Sequence, residues 1–364
     1  MTETPLRLPE RPSLDQLRKQ AKELQVLEGL PTLAAAQHTL ARRYGYASWP
    51  KLKVAVESQI LRRYIETRDA QAAHQMLVAS PKLAALPFAD GSTPLHVASE
   101  RNSVEIIADL VRAGARFEEK YAHSGHTALS WAITVGSFKA ANKLVELGDE
   151  PDLFCAAGLG MLEKVQSFWN GDEVRPSPSK TGSSRWSDDG KTRLPCPPER
   201  DEDQISDALY IASRAGRLDV ARWLLDHGAD PNWRGFQEAS CLAWAEFSGN
   251  PELCALLRER GASDEMRDAE FRATPKVFGL MILVAWGFWP ERLRAMLSGD
   301  PSLANSRGEI GTLLNAAAYN GQLESAKILL EFGADKTIRN VKGLTPKELA
   351  LAQGHKDLAQ LLAE

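Results

Sequence analysis

Asp207–Asn232 reads DALYIASRAGRLDVARWLLDHGADPN. An apolar run, Ala208–Ala212, ends in Arg214-Ala215-Gly216. A second segment, Leu218–Leu225, carries apolar residues at Leu218, Val220, Ala221, Leu224 and Leu225, one face of a helix. It stops at His227-Gly228-Ala229-Asp230-Pro231-Asn232. Gly228 is a helix-ending signal, because glycine takes the left-handed conformation without a Cβ clash. Two helices this short cannot bury an apolar face alone, so the unit needs neighbours of its own kind.

The neighbours are visible in the spacing. Glycines that close a first helix recur at Gly136, Gly160, Gly216, Gly249, Gly287, Gly321 and Gly354, and from Gly216 onward the steps are 33, 38, 34 and 33. Gly-Ala pairs that follow a second helix recur at Gly114-Ala115, Gly228-Ala229, Gly261-Ala262 and Gly333-Ala334. Thr93-Pro94-Leu95-His96-Val97-Ala98 supplies a further signature, with worn copies at Thr127-Ala128-Leu129, Thr312-Leu313-Leu314 and Thr345-Pro346. In this the chain resembles the ankyrin repeat family, whose period is about 33 residues. The resemblance implies an all-α ankyrin-repeat solenoid: stacked helix-turn-helix repeats with β-hairpin fingers and an N-terminal helical cap.

Four segments are expected. Residues 1–58 form a helical capping module, with helices opening at Ser13, at Thr32 and after Ser48, the third running to about Ser58. Ser13, Leu14, Gln16–Lys22, Tyr44, Gly45, Ser48–Pro50 and Leu52 resemble a module that often precedes bacterial ankyrin arrays. Residues 59–172 are a first ankyrin block. Residues 173–204 are a Pro/Ser-rich insertion without helical or strand period, read either as a lid anchored by Trp186 or as a floppy loop. Residues 205–364 are a second block that ends in a capping repeat.

Composition narrows the functions. A net charge of −4 and a pI near 6.1 give no general attraction to nucleic acid or to an anionic membrane. The longest apolar run, Val277–Trp289, is too short to span a bilayer and the N-terminus lacks an apolar signal core. Cys155, Cys196, Cys241 and Cys254 are scattered, as reduced thiols of a cytoplasmic protein would be. His123-x-x-His126 has no Cys or third His nearby, so no metal and no cofactor is expected. No Gly-x-Ser-x-Gly, P-loop, His-Glu-x-x-His or paired-cysteine pattern occurs, and the balance is against an enzyme.

The resemblance implies that the two residues before each closing Gly face the concave groove. Three consecutive repeats place Phe247, Trp286 and Tyr319 there, with Trp244 one turn before Phe247 and Trp233-Arg234 in the adjoining finger. Clustered exposed aromatics mark binding sites, although they also fill gaps between poorly matched repeats. Trp244 leans towards core, since it sits within the repeat motif. Arg214, Arg234, Glu246, Asn315 and Asn320 are the polar groups that would complete the site. Asn315 stands where the motif has His. The expected function is a scaffold that binds a protein partner through groove and fingers. The alternative is a small-molecule binder or enzyme whose aromatic pocket is closed by the 173–204 loop.

Overall fold

A computed structural model describes residues 6–9, 11–121, 124–175, 201–235, 239–263, 274–287, 289–308 and 311–363. It is built almost wholly of short helices, in two compact units, Met1–Glu150 and Pro151–Glu364.

The first unit opens with α1 (Leu14–Leu27), α2 (Leu33–Arg43) and α3 (Trp49–Glu66). Ser13, Thr32 and Ser48 cap them, each side chain accepting a backbone N–H from the first turn. Leu17, Ala21 and Leu24 of α1 meet Leu40 and Ala41 of α2 and Leu52 and Val56 of α3 in one core. The third helix does not stop at Ser58 as expected. Nothing in Val56–Leu61 breaks a helix, and Leu52, Val56, Leu61 and Ile65 continue one buried stripe. The same helix therefore closes the capping module and begins the first repeat. Three pairs follow from it: α3 with α4 (Ala70–Ala79), α5 (Pro94–Glu100) with α6 (Val104–Arg112), and α7 (Ala128–Thr134) with α8 (Phe138–Glu146). First helices stack α3–α5–α7 in an inner layer, and second helices stack α4–α6–α8 in an outer one. The residues that close the inner helices with positive φ are Arg68, Asn102 and Gly136, so the repeat runs further towards the N-terminus than its glycines do.

His96 is structural, as its motif implies. Its Nδ1 accepts the Thr93 backbone N–H at 3.3 Å, and its Nε2–H donates to the His126 carbonyl of the next repeat at 2.9 Å. Burial lowers its pKa, which keeps the ring neutral in that role.

The second unit begins with α9 (Leu153–Leu159) and α10 (Leu162–Gln166), then a two-stranded finger of β1 (Trp169–Asn170) and β2 (Glu173–Val174). It continues through α11 (Asp201–Arg214), α12 (Leu218–Asp226), α13 (Cys241–Ser248), α14 (Pro251–Glu259), α15 (Pro275–Trp286) and α16 (Pro290–Gly299). A second finger, β3 (Arg307–Gly308) with β4 (Gly311–Thr312), leads into α17 (Leu313–Asn320), α18 (Leu323–Glu331), α19 (Pro346–Ala352) and α20 (Lys356–Leu361). The inner layer is α9–α11–α13–α15–α17–α19. Because α9 packs on α11, the helix pair before the insertion belongs with the block after it. Both ends of the insertion differ from expectation. Glu173–Val174 is a finger strand and α11 starts at Asp201, so the finger the repeat calls for is present. Residues 176–200, with Trp186 and Cys196, lie outside the described residues.

Two features organise the stack. Short helices leave their last carbonyls without intrahelical partners, and the following repeat supplies donors. Ser137 Oγ donates to the Glu100 carbonyl (3.1 Å), Arg217 Nε to that of Gly158 (3.0 Å), Asn250 Nδ2 to that of Gly216 (3.3 Å), and His355 Nε2 to that of Tyr319 (3.2 Å). Gln322 Nε2 reaches the carbonyls of Ala285 (3.0 Å) and Trp286 (3.3 Å). Each donor is the residue directly after its own closing glycine. The second feature is the contact of α13 with α15. The long step to Gly287 is partly an extra helical turn, since α15 has 12 residues where α13 and α17 have 8. Its Gly279 lies so close to α13 that a Cβ there would stand 2.7 Å from the backbone nitrogen of Phe247.

Gly279→Ala is accordingly expected to destabilise the second unit by about 1–3 kcal/mol, because backbone cannot yield as a side chain can. Gly299→Ala, whose Cβ would meet nothing within 4 Å, should be neutral or slightly stabilising. Urea unfolding of the two variants beside the parent checks the pair; equal midpoints would contradict the close approach.

Candidate binding surface

The expected site residues fall into three groups. Trp244, Phe247, Trp286 and Arg214 come together. Trp244 is 0% exposed and packs edge-on against Tyr210 (6.0 Å between centroids), Phe247 (5.3 Å) and Phe278 (5.6 Å), with Trp286 tilted at 6.3 Å. Phe247, 3% exposed, meets Trp286 at 5.9 Å and Trp289 at 5.2 Å. The groove-facing row therefore turns inward at Phe247, because α15 is drawn onto α13 through Gly279 and its aromatic end covers that ring. Trp286 and Trp289 remain half-buried at the margin.

Two arginines are threaded through these rings. The Arg214 guanidinium carbon lies 3.9 Å from the centroid of Trp244 and 5.0 Å from that of Trp286. The side chain is buried, and among the described residues no carboxylate pairs with it. Burial pulls its pKa down to about 10, while the hydrogen-bonded Tyr210 works the other way. At neutral pH it is still a cation, held by ring faces. Arg292 stands 5.3 Å from the centroid of Phe247 and 5.6 Å from that of Trp289, and its Nη1 donates to the Phe247 carbonyl at 3.1 Å. It fills the place of the inter-repeat donor. The residue after Gly287 is Phe288, which has no side-chain donor, and Arg292 supplies one from the first turns of α16.

The second group is the finger. The Trp233 indole donates to Asp207 Oδ1 at 2.9 Å, and Arg234 pairs through its backbone with Ser240. The third lies one repeat on. Tyr319 is 49% exposed and Asn320 is exposed, its Nδ2 tied to the Ala316 carbonyl at 2.9 Å.

Two expected site residues are placed elsewhere. Asn315 is 0% exposed and performs the local bonding of the motif histidine, its Oδ1 accepting the Thr312 N–H at 2.9 Å. It is a cap, not a contact residue, because its short amide reaches the same backbone group that an imidazole would. Glu246 turns towards the outer layer and pairs with Arg258 at 2.8 Å.

Tyr210, Phe278 and Arg292 had not been anticipated. The one available signal was Phe288, an apolar residue at a position that carries Ser, Arg, Asn, Gln or His after five of the six other closing glycines, Met161 being the sixth. Among the described residues, no group of three or more metal-ligating side chains is assembled and no helix is long and apolar enough to cross a membrane. Cys155, Cys241 and Cys254 are buried thiols, with that of Cys254 pushed up to about 12 by burial.

Arg214→Ala is expected to cost about 2–4 kcal/mol, since it removes an aliphatic stem and a cation packed on two indoles. Arg214→Met keeps the volume and relieves the buried charge, so it should cost less than half as much. Denaturation followed by tryptophan fluorescence measures both; equal losses would mean that the charge, not the packing, holds the cluster.

Comparison with known proteins agrees with the geometry. The family model for three consecutive ankyrin repeats matches residues 54–155, and that for a single ankyrin repeat matches 207–235 and 312–341. The human Espin-like protein is 42% identical over 71 residues, which is 20% of this chain and 7% of that protein. The human NAD-capped RNA hydrolase NUDT12 is 42% identical over 73 residues, 20% of this chain and 16% of that protein. The E3 ubiquitin-protein ligase KEG of Arabidopsis thaliana is 22% identical over 301 residues, 76% of this chain and 17% of that protein. The chain thus spans less than a fifth of each of these animal and plant relatives. The bacterial association of the N-terminal module rests on sequence resemblance alone. Stacked helix pairs, left-handed closing residues, motif histidine and fingers together make this an ankyrin-repeat protein.

Proposed function

We propose that the second unit binds a protein partner along the C-terminal ends of its inner helices and its fingers, with Trp286 and Tyr319 as aromatic anchors. Ankyrin repeats suggest a protein-interaction scaffold; the finer assignment is ours. The observation that carries it is the contrast in this row: Phe247 is interior, whereas Tyr319 offers a ring that is 49% exposed on a helix whose other apolar residues are buried. A large ring standing free on a rigid element gives contact area at small ordering cost. Trp286 is held by Trp244, Phe247, Trp289 and Arg214, so it too is set before binding. The small-molecule alternative is not favoured, since Trp244 and Phe247, which would wall its pocket, are consumed by packing. We place the protein in the cytoplasm, a setting supported by Cys155, Cys241 and Cys254, which are buried thiols.

Tyr319→Ala should change stability by less than about 0.5 kcal/mol and weaken a captured partner by roughly tenfold or more. The test is affinity capture with the intact chain, then titration of the recovered partner against parent and variant. A partner held equally by parent and by a Tyr319→Ala, Asn320→Ala double variant would overturn the assignment.

A further inference from the structure

Among the described residues, the outer layer of the second unit has one gap. Helix α12 packs on α14, and α16 on α18, but α14 and α16 do not pack along each other. The cause lies in the inner layer. Gly279 lets α13 and α15 meet backbone to backbone, and a stack pinched on one side opens on the other. Between α14 and α16 lies a cleft of about 670 Å³, within the range of small-molecule sites.

Its lining has a definite chemistry. Cys254 and Met296 give it an apolar floor, and Asn250 and Pro251 at the start of α14 also line it. Three cations line it, Arg258, Lys276 and Arg292, against one carboxylate, Glu246, which is engaged by Arg258 at 2.8 Å. Among the described residues neither Lys276 nor Arg292 is paired with a carboxylate. Arg292 is half-buried, and of its five donors one is fixed on the Phe247 carbonyl. Desolvation lowers its pKa, as it would for a cation that lacks a counter-charge. Two cations that have no carboxylate partner among the described residues, beside an apolar floor, are complementary to an anion with an apolar body.

We propose that the cleft between α14 and α16 binds a small organic anion, a phosphate or carboxylate on a hydrophobic group, with Arg292 and Lys276 holding the charge and Met296 and Cys254 the body. This site is separate from the partner-binding row, and it stands or falls independently of that reading.

Calorimetric titration of the intact chain with phenyl phosphate, benzoate, inorganic phosphate and benzyl alcohol tests it. Saturable binding of phenyl phosphate or benzoate is expected, whichever is tighter identifying the anionic group, with inorganic phosphate and benzyl alcohol each at least tenfold weaker. Lys276→Glu, at the margin of the cleft and outside the aromatic cluster, should weaken binding by roughly tenfold or more, and Lys347→Ala on α19 should leave it unchanged. Arg292→Gln should weaken it likewise; if that variant fails to fold, Lys276→Glu still decides. Absence of saturable binding by either aromatic anion at millimolar concentration, equal binding of benzyl alcohol or inorganic phosphate, or undiminished binding by Lys276→Glu would each overturn the proposal.

Discussion

The carbonyls at the end of each inner helix set the terms for this molecule. Most inner helices have only seven to twelve residues and are a large fraction terminus, and their last C=O groups need donors from outside them. The next repeat provides them from the residue after its own closing glycine: Ser137, Arg217, Asn250, Gln322 and His355 all reach back in this way. Apolar burial drives the repeats together without fixing their register, since alanine-rich faces such as Ala316, Ala317 and Ala318 are nearly featureless. The directional bonds add the register. Closing residues with positive φ are what bring the donor into reach.

The contact of α13 with α15 is where this rule bends. An added turn in α15, a glycine against the backbone of Phe247 and an apolar residue at the donor position all occur in one repeat. The consequences follow in order. The rings of Trp244 and Phe247 are drawn inside, Arg292 takes over the donor's place, and the outer helices α14 and α16 part. A defect in the period on the inner side thus creates surface chemistry on the outer side. Arg214 shows the same economy of parts: with no carboxylate beside it among the described residues, it is accommodated by two indole faces and Tyr210.

Much of the fold was legible because glycine is the usual residue at a left-handed helix end, and seven such positions declare the period. Where Asn102 and Arg68 take that conformation the glycine spacing is silent, although Asn102 secures its place by accepting the Ala140 N–H at 2.8 Å. The continuity of α3 through Ser58 was equally hidden, since a helix without a breaker has no visible internal boundary. Of the candidate site, Trp244 was readable as core from its place in the motif, and Tyr319 as exposed from its place in the row. Phe247 occupies the same kind of position as Tyr319, yet its burial depends on how closely the following helix approaches. That distance is a property of Gly279 in another repeat, and no pattern local to Phe247 reports it. Glu246 and Asn315 show the complementary limit: a polar side chain chooses among partners by geometry, and sequence shows only that partners exist.

The central claim is that the back-reaching donors, and not burial alone, hold neighbouring repeats in register. Gln322→Met retains the length and volume of the side chain while removing the amide that serves the carbonyls of Ala285 and Trp286. Urea unfolding of this variant beside the parent is the most direct measurement. A loss of about 1–2 kcal/mol with an unchanged denaturant slope is predicted. An unchanged midpoint would show that the carbonyls find other partners and that the stack does not depend on this bond.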